Sequence, residues 1–145
     1  VGAIPSDNVI LTQWFRYLVS NADKIKSGNF EMTVNTYTLG VLTKHAGNAE
    51  TKDERVRGVK KYLNRVTKIR LESAQKNGKV DILSSILLAK ELPNLQKLTL
   101  DHVKPYVVED YMEMTRALRE LWIVDSLNAL DEALDPNGAY FALRG

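Results

Sequence analysis

The sequence contains no cysteine among its 145 residues. Disulfide-capped extracellular repeats, thiolate metal sites and cysteine nucleophiles are therefore excluded together. The sequence also has no N-x-S/T glycosylation sequon and no apolar run long enough to cross a membrane. The chain starts at Val1 rather than Met and has no apolar leader, so we expect a processed or recombinant product. Together these features favour an intracellular compartment.

The sequence motifs of common enzymes are missing as well. No Walker A, dinucleotide-binding, HExxH or GxSxG pattern occurs. The two histidines, His45 and His102, have no spaced partners that would form a set of metal ligands. Asp101 precedes His102, but neighbouring residues of a strand point to opposite faces, which argues against a catalytic pair. We therefore predict a protein that is not an enzyme, with no catalytic residue, cofactor, bound metal or evident small-molecule substrate.

Charge is nearly balanced overall, at +2, but it is unevenly distributed. The segment 52–79 holds ten Lys and Arg against three acids, a net charge of +7, whereas the segment 101–145 has nine acids against four bases, a net charge of −5. A basic segment is the usual electrostatic footprint of phosphate binding. Only Tyr62 within it can stack on a base, so we expect a solvated helix surface. The alternative is an all-helical domain that binds nucleic acid through residues 52–79.

A repeated spacing of apolar residues is the main positive signal in the sequence. The spacing is L-x-x-L-x-L, followed after two further residues by a small or polar residue. It occurs at Leu95, Leu98, Leu100 and Val103, again 23 residues later at Leu118, Leu121, Ile123 and Ser126, and 29 residues earlier at Val66, Ile69, Leu71 and Ala74. Alternation of this kind predicts strands, and both intervals lie in the range of about 20–29 residues that is typical of leucine-rich repeats.

With this spacing the chain resembles a leucine-rich-repeat protein. The resemblance implies an α/β fold, a short solenoid of about three to four parallel strands alternating with helices, with strands centred on Ile69, Leu98 and Leu121. The family commonly carries Asn or Cys at the last position of the motif, which is not so here. The chain is therefore similar to the irregular intracellular type. The hexapeptide Val66–Leu71 also resembles a strand of the mitochondrial ATP synthase subunit s (coupling factor B) group, which implies a mitochondrial location.

The repeats divide the predicted domain into two parts. Residues 1–50 form an N-terminal helical cap whose first helix starts at Ser6 or Asp7. The segment 29–42 is compatible with a strand or a helix, and its threonines favour a strand, as part of a degenerate first repeat. Residues 51–145 form the repeats and a C-terminal cap within the same folded domain.

Several local signals place the boundaries within that second part. Thr51 with Glu54 is a capping-box signature for a basic helix, and Asp81 is an N-cap candidate for the next helix. Pro105 and Ser126 are expected to open two further helices. We expect the tail residues Tyr140, Phe141 and Leu143 to cover the last strand and close its edge.

The predicted register also defines a binding surface. Leucine-rich-repeat proteins present a concave strand face to a protein partner, and small ones are mostly adaptors or subunits of larger assemblies. The residues predicted to point outward on that face are Arg70, Thr99 and Trp122 in the middle row, flanked by Lys68, Lys97 and Glu120 on one side and by Glu72, Asp101 and Val124 on the other. The alternative for Trp122 is burial under Tyr140 or Phe141.

Overall fold

The computed structural model describes residues 4–48, 50–104, 107–121 and 139–142. In chain order the elements are α1 (Asp7–Ser20), α2 (Ala22–Ser27), β1 (Glu31–Asn35), α3 (Thr36–Ala46), α4 (Glu54–Leu63), β2 (Lys68–Glu72), α5 (Ile82–Ala89), β3 (Lys97–Leu100), α6 (Val108–Leu121) and β4 (Ala139–Ala142). The α/β class predicted from the sequence is confirmed, so the alternative of an all-helical domain is wrong. None of the described helices has the length and apolar character needed to cross a membrane.

The four strands form one sheet in the order β1-β2-β3-β4. Strands β1, β2 and β3 are parallel, while β4 runs antiparallel to β3. Ile69 lies opposite Leu98 and Leu71 opposite Leu100, which is the 29-residue offset seen in the sequence. Connections between parallel strands are right-handed as a rule. Because β1, β2 and β3 are adjacent in sequence order, this rule places the helices between them on one side of the sheet.

The strand predicted at Leu121 is wrong. Leu121 is the last residue of α6, whose Met114, Ala117 and Leu118 are buried, and α6 packs against α5. Leucines three residues apart suit a helix face as well as the repeat template, and here the helix face is what packs. The sheet position beside β3 is occupied by β4. The sheet is therefore mixed rather than wholly parallel.

The tail prediction is confirmed for the two described residues that it named. Tyr140 and Phe141 belong to β4, and Phe141 is fully buried opposite Leu98. The strand that they cover is β3, not one formed by Leu121. Pro105, Leu143 and the predicted helix that starts at Ser126 lie outside the described residues.

The ambiguous segment 29–42 forms both a strand and a helix. Strand β1 ends at Asn35, whose side-chain Oδ1 accepts a hydrogen bond of 2.7 Å from the backbone N–H of Thr38. Asn35 thereby caps α3, which contains residues 36–42 of the segment for which a strand was favoured. The predicted strand is therefore present as β1, and its buried apolar residues are Met32 and Val34.

Side-chain caps were predicted for three other described helices, and those at α1 and α5 are confirmed. Ser6 caps α1 and Asp81 caps α5, both by accepting a backbone N–H with the side chain. Helix α4 is capped by Asp53 instead of Thr51, whose hydroxyl accepts the N–H of Asp53. The Asp53 carboxylate, two residues nearer the helix, is therefore the N-cap instead of the Thr51 hydroxyl that was predicted.

One apolar cluster joins the sheet to the helices behind it. The strand residues that face it are exposed by 2% or less: Met32, Val34, Ile69, Leu71, Leu98, Leu100 and Phe141. Among the described residues, the only buried polar side chains are Thr38 and Ser85, so this core contains no ionisable group. Helix α1 packs closely on α4, where a Cβ added to Gly58 would lie 2.2 Å from Phe15 Cε1.

Candidate functional site

The second face of the sheet carries no helix of the described chain. Burial alternates along β1, β2 and β3, so every second side chain stays partly or fully exposed. Parallel sheets are usually covered on both faces by their crossover helices. Here the crossovers all lie on one side, because the strands follow each other in sequence order. The result is an uncovered, mainly parallel sheet surface, which we name the open face.

The strand register arranges the open face in three rows. The middle row is Thr33, Arg70, Thr99 and Tyr140; the row at the start of the parallel strands is Glu31, Lys68, Lys97 and Ala142; the row at their ends is Asn35, Glu72 and Asp101. Asp101 directly follows β3 and extends its pairing, since its N–H donates to the carbonyl of Leu71. The face is polar and contains charges of both signs.

Ion pairs connect strands across this face: one joins β2 to the end of β3, and the other joins β3 to the non-adjacent strand β1. The Arg70 Nη2 donates to Asp101 Oδ1 at 2.9 Å, with side chains 39% and 22% exposed. Lys97 Nζ lies 4.0 Å from Glu31 Oε2 and 5.2 Å from the centre of the Tyr140 ring. These partly exposed contacts hold the side chains in place more than they stabilise the fold. Two cations of the open face, Arg70 and Lys97, therefore have acidic partners on the same face.

The structure brings together six of the nine residues predicted to bind a partner. Lys68, Arg70, Glu72, Lys97, Thr99 and Asp101 all lie on the open face. Trp122 and Val124 lie outside the described residues. The placement of Glu120 was wrong: it lies on α6 and accepts a hydrogen bond of 2.7 Å from Lys90 Nζ, which lowers the pKa of its carboxyl group.

Sequence reasoning missed the aromatic residue of the middle row. Tyr140, paired with Thr99 and 52% exposed, occupies the position that had been assigned to Trp122. The tail was expected to cover the last strand and close its edge, but it was not predicted to form a strand, and its outward residue was not added to the surface. The contribution of β1, from Glu31, Thr33 and Asn35, was also missed. The alternation of Phe30, Met32 and Val34 in the sequence was the signal for it.

The adjacent residues Asp101 and His102 contact each other, contrary to the sequence argument. His102 has a left-handed backbone, with φ 54°, so the strand alternation no longer applies to it. Its Nδ1 lies 3.1 Å from Asp101 Oδ1, the same oxygen that accepts from Arg70. The pair lines a cleft of about 460 Å³ at the carboxyl ends of β2 and β3.

The serine in this cleft is not paired with the histidine. The Ser73 hydroxyl accepts from the backbone N–H of Gln75 and has no hydrogen bond to His102. A serine nucleophile is commonly activated by a base within hydrogen-bond reach, a contact that Ser73 and His102 do not make. In the described part of the chain, no group of three or more His, Asp or Glu side chains is placed to hold a metal ion.

The second histidine, His45, contacts Asp7 at 2.8 Å and thereby lowers the pKa of that carboxyl group.

The basic segment 52–79 does not form one continuous surface. It divides between the outer side of α4, the open face at Lys68 and Arg70, and the loop before α5. Tyr62, its one aromatic residue, is half-buried against the core, with Lys61 Nζ 5.6 Å from its ring centre. The stacking platform expected of a nucleic-acid site is thus largely used in packing.

Comparison of the chain with protein-family models, with curated proteins and with solved structures gives no match.

Proposed function

We propose that this protein is a short, irregular leucine-rich-repeat solenoid that binds a protein partner on its open face. It acts without catalysis, as an adaptor or as a subunit of a larger assembly. The observation that carries the proposal is a sheet face, parallel over three strands and lined by polar side chains, that no described helix covers. A partly exposed polar face contributes little to the stability of the core behind it, which leaves its composition free to suit a partner.

The composition of the middle row supports a protein partner. Arg and Tyr are enriched at the energetic centres of protein interfaces, where an aromatic ring supplies area and a guanidinium supplies directed hydrogen bonds. Tyr140 is exposed at one end of this row, and Arg70 lies two strands away across Thr99. Thr99 is a short side chain between Arg70 and Tyr140, and Thr33 is a short side chain on the edge strand β1. They leave room for side chains of the partner.

Site-specific photo-crosslinking tests the proposal. A benzoylphenylalanine is introduced at Thr99 on the open face, and separately at Arg57 on the exposed side of α4 as a control. Captured proteins from the source cells are identified by mass. We expect one partner to crosslink at Thr99 and not at Arg57, and Thr99→Arg to reduce its co-purification with the protein at least tenfold. Equal capture at both positions, or capture only of nucleic acid, would overturn the proposal.

A further inference from the structure

A second cleft lies at the opposite end of the strands from the one beside His102. Its volume is about 700 Å³, and its lining residues come from the end of α2 and from the loops that enter β2 and β3: Ile25, Lys26, Ser27, Gly28, Arg65, Thr67, Lys68, Asn94 and Gln96. Three of these are cationic. None of these lining residues carries a carboxylate.

The cations of this cleft are unpaired. Among the described residues, Lys26, Arg65 and Lys68 have no ion pair, whereas Arg70 and Lys97 on the neighbouring open face both do. Like charges gathered around one concavity repel each other, and that repulsion is relieved when an anion binds between them. The missing counter-charge therefore indicates an anionic ligand.

Hydrogen bonds hold the walls of the cleft in position. The backbone N–H groups of Gln96 and Lys97 both donate to the carbonyl of Thr67, at 2.7 and 2.9 Å. The Asn94 side chain donates to the carbonyl of Asn64, and α2 ends at Gly28 with φ 78°. The loops are thus fixed before any ligand arrives, which lowers the entropic cost of binding.

We propose that this cleft binds an acidic segment of the partner, rich in Asp and Glu, an inference that depends on the proposed function. Lys68 belongs both to the cleft and to the first row of the open face, so one partner can occupy the two surfaces together. The acidic segment lies over Lys26, Arg65 and Lys68. The rest of the partner covers the middle row.

A peptide fits these surroundings better than a nucleic acid does. Glu31, Glu72 and Asp101 on the adjoining open face would repel the phosphates of a long polyanion. The cleft lining contains no aromatic ring on which a base could stack. A short run of carboxylates needs only the three cations.

Binding of a fluorescein-labelled decaglutamate peptide, measured by polarisation, tests the inference. The cleft variant combines Lys26→Glu, Arg65→Glu and Lys68→Glu. The control variant combines Lys52→Glu, Arg57→Glu and Lys61→Glu. Both change the net charge by the same amount, so long-range repulsion is matched. We expect the affinity of the cleft variant for the peptide to fall at least tenfold. The fold-decrease in affinity of the control variant should be at least five times smaller than that of the cleft variant.

Amide chemical shifts of the wild-type protein give a readout that does not depend on how the variants fold. We expect the peptide to shift the amides of Gly28, Thr67 and Gln96, and to leave those of α4 unchanged. Equal losses of affinity in both variants, or shifts spread over the whole surface, would overturn the inference. Tighter binding of an oligothymidine of equal charge, lost in the control variant, would overturn it in favour of nucleic acid.

Photo-crosslinking at Thr99 separates this inference from the proposed function. If the cleft variant still captures the partner at Thr99 with unchanged yield, the acidic-segment inference fails and the binding role of the open face stands. If the peptide binds the cleft but Thr99 captures no protein, the open-face proposal fails while the anion site remains.

Discussion

The two faces of the sheet are made by alternate residues of the same strands, yet they obey different constraints. On one face, the strand side chains, among them Met32, Leu98 and Phe141, are almost completely buried and carry no charge. On the other, Arg70, Asp101 and Lys97 remain partly exposed and are held by ion pairs with their neighbours. The buried face determines whether the chain folds. The open face contributes little to folding, so its residues are under weaker structural constraint.

The largest contrast is expected within β4, where Phe141 and Tyr140 are neighbours on opposite faces. Phe141→Ala should lower the free energy of unfolding by about 3–5 kcal/mol, because it empties a fully buried site. Tyr140→Ala should lower it by about 1 kcal/mol or less, since the ring is half exposed. Urea unfolding of both variants measures this difference. Similar losses would show that β4 does not alternate between the two faces as described.

A comparable contrast is expected in the middle of the sheet. Leu98→Ala should cost about 2–5 kcal/mol, which is a large part of the roughly 5–15 kcal/mol typical of a domain. Thr99→Ala, one residue along, should cost no more than about 1 kcal/mol through the lower β-propensity of alanine. Thermal denaturation followed by circular dichroism compares the two. Equal shifts in Tm would contradict the alternation in β3.

The helices behind the buried face should tolerate added atoms only where there is space. Gly58→Ala places a methyl group against Phe15, and overpacking typically costs about 1–3 kcal/mol, more than the roughly 1 kcal/mol gained in helix propensity. Gly40→Ala is the matched control, because its Cβ would meet only Leu88 Cδ2 at an ordinary 3.9 Å. We expect a net loss of stability for Gly58→Ala and a gain for Gly40→Ala in chemical unfolding. If Gly58→Ala were stabilising and Gly40→Ala destabilising, the close approach of Gly58 to Phe15 would be contradicted.

The smallest effect is expected from acid. The described part of the core has no ionisable group, so we expect surface carboxylates to account for the loss of stability at low pH. The Arg55 side chain, by hydrogen bonding, lowers the pKa of Asp53 from 3.8 to about 2. A depressed pKa stabilises the fold above the unfolded value, and this stabilisation is lost as the pH falls from about 4 to about 2. Over that range, Asp53→Asn should flatten the dependence of unfolding free energy on pH. An unchanged slope would contradict this assignment.

The sequence predicted the buried face better than the elements around it. Leu98 and Ile69 alternate with polar residues in a pattern that only a half-buried strand explains, so β2, β3 and their register were accessible. Leu118 and Leu121 were misassigned because a spacing of three residues is common to the repeat template and to a helix. The choice between them depends on packing against α5, a contact that is distant in sequence.

The candidate site shows the same limit. Residues that β2 and β3 contribute to the open face follow from their register, and were named correctly. Tyr140 was not, because its position beside Thr99 depends on a pairing across about forty residues of chain. The contact between Asp101 and His102 depends on the left-handed backbone conformation of His102, which no local sequence pattern predicts.

The reversed direction of β4 limits how this sheet can be extended. A parallel array can add identical units because each new strand repeats the direction of the one before it. Strand β4 interrupts that repetition and pairs with the edge of β3 that a further unit would need. A longer protein engineered from this chain must therefore place its additional strand beside β1, or insert it between β3 and β4 and separate Thr99 from Tyr140. Lengthening the array in the second way would divide the surface proposed to bind the partner.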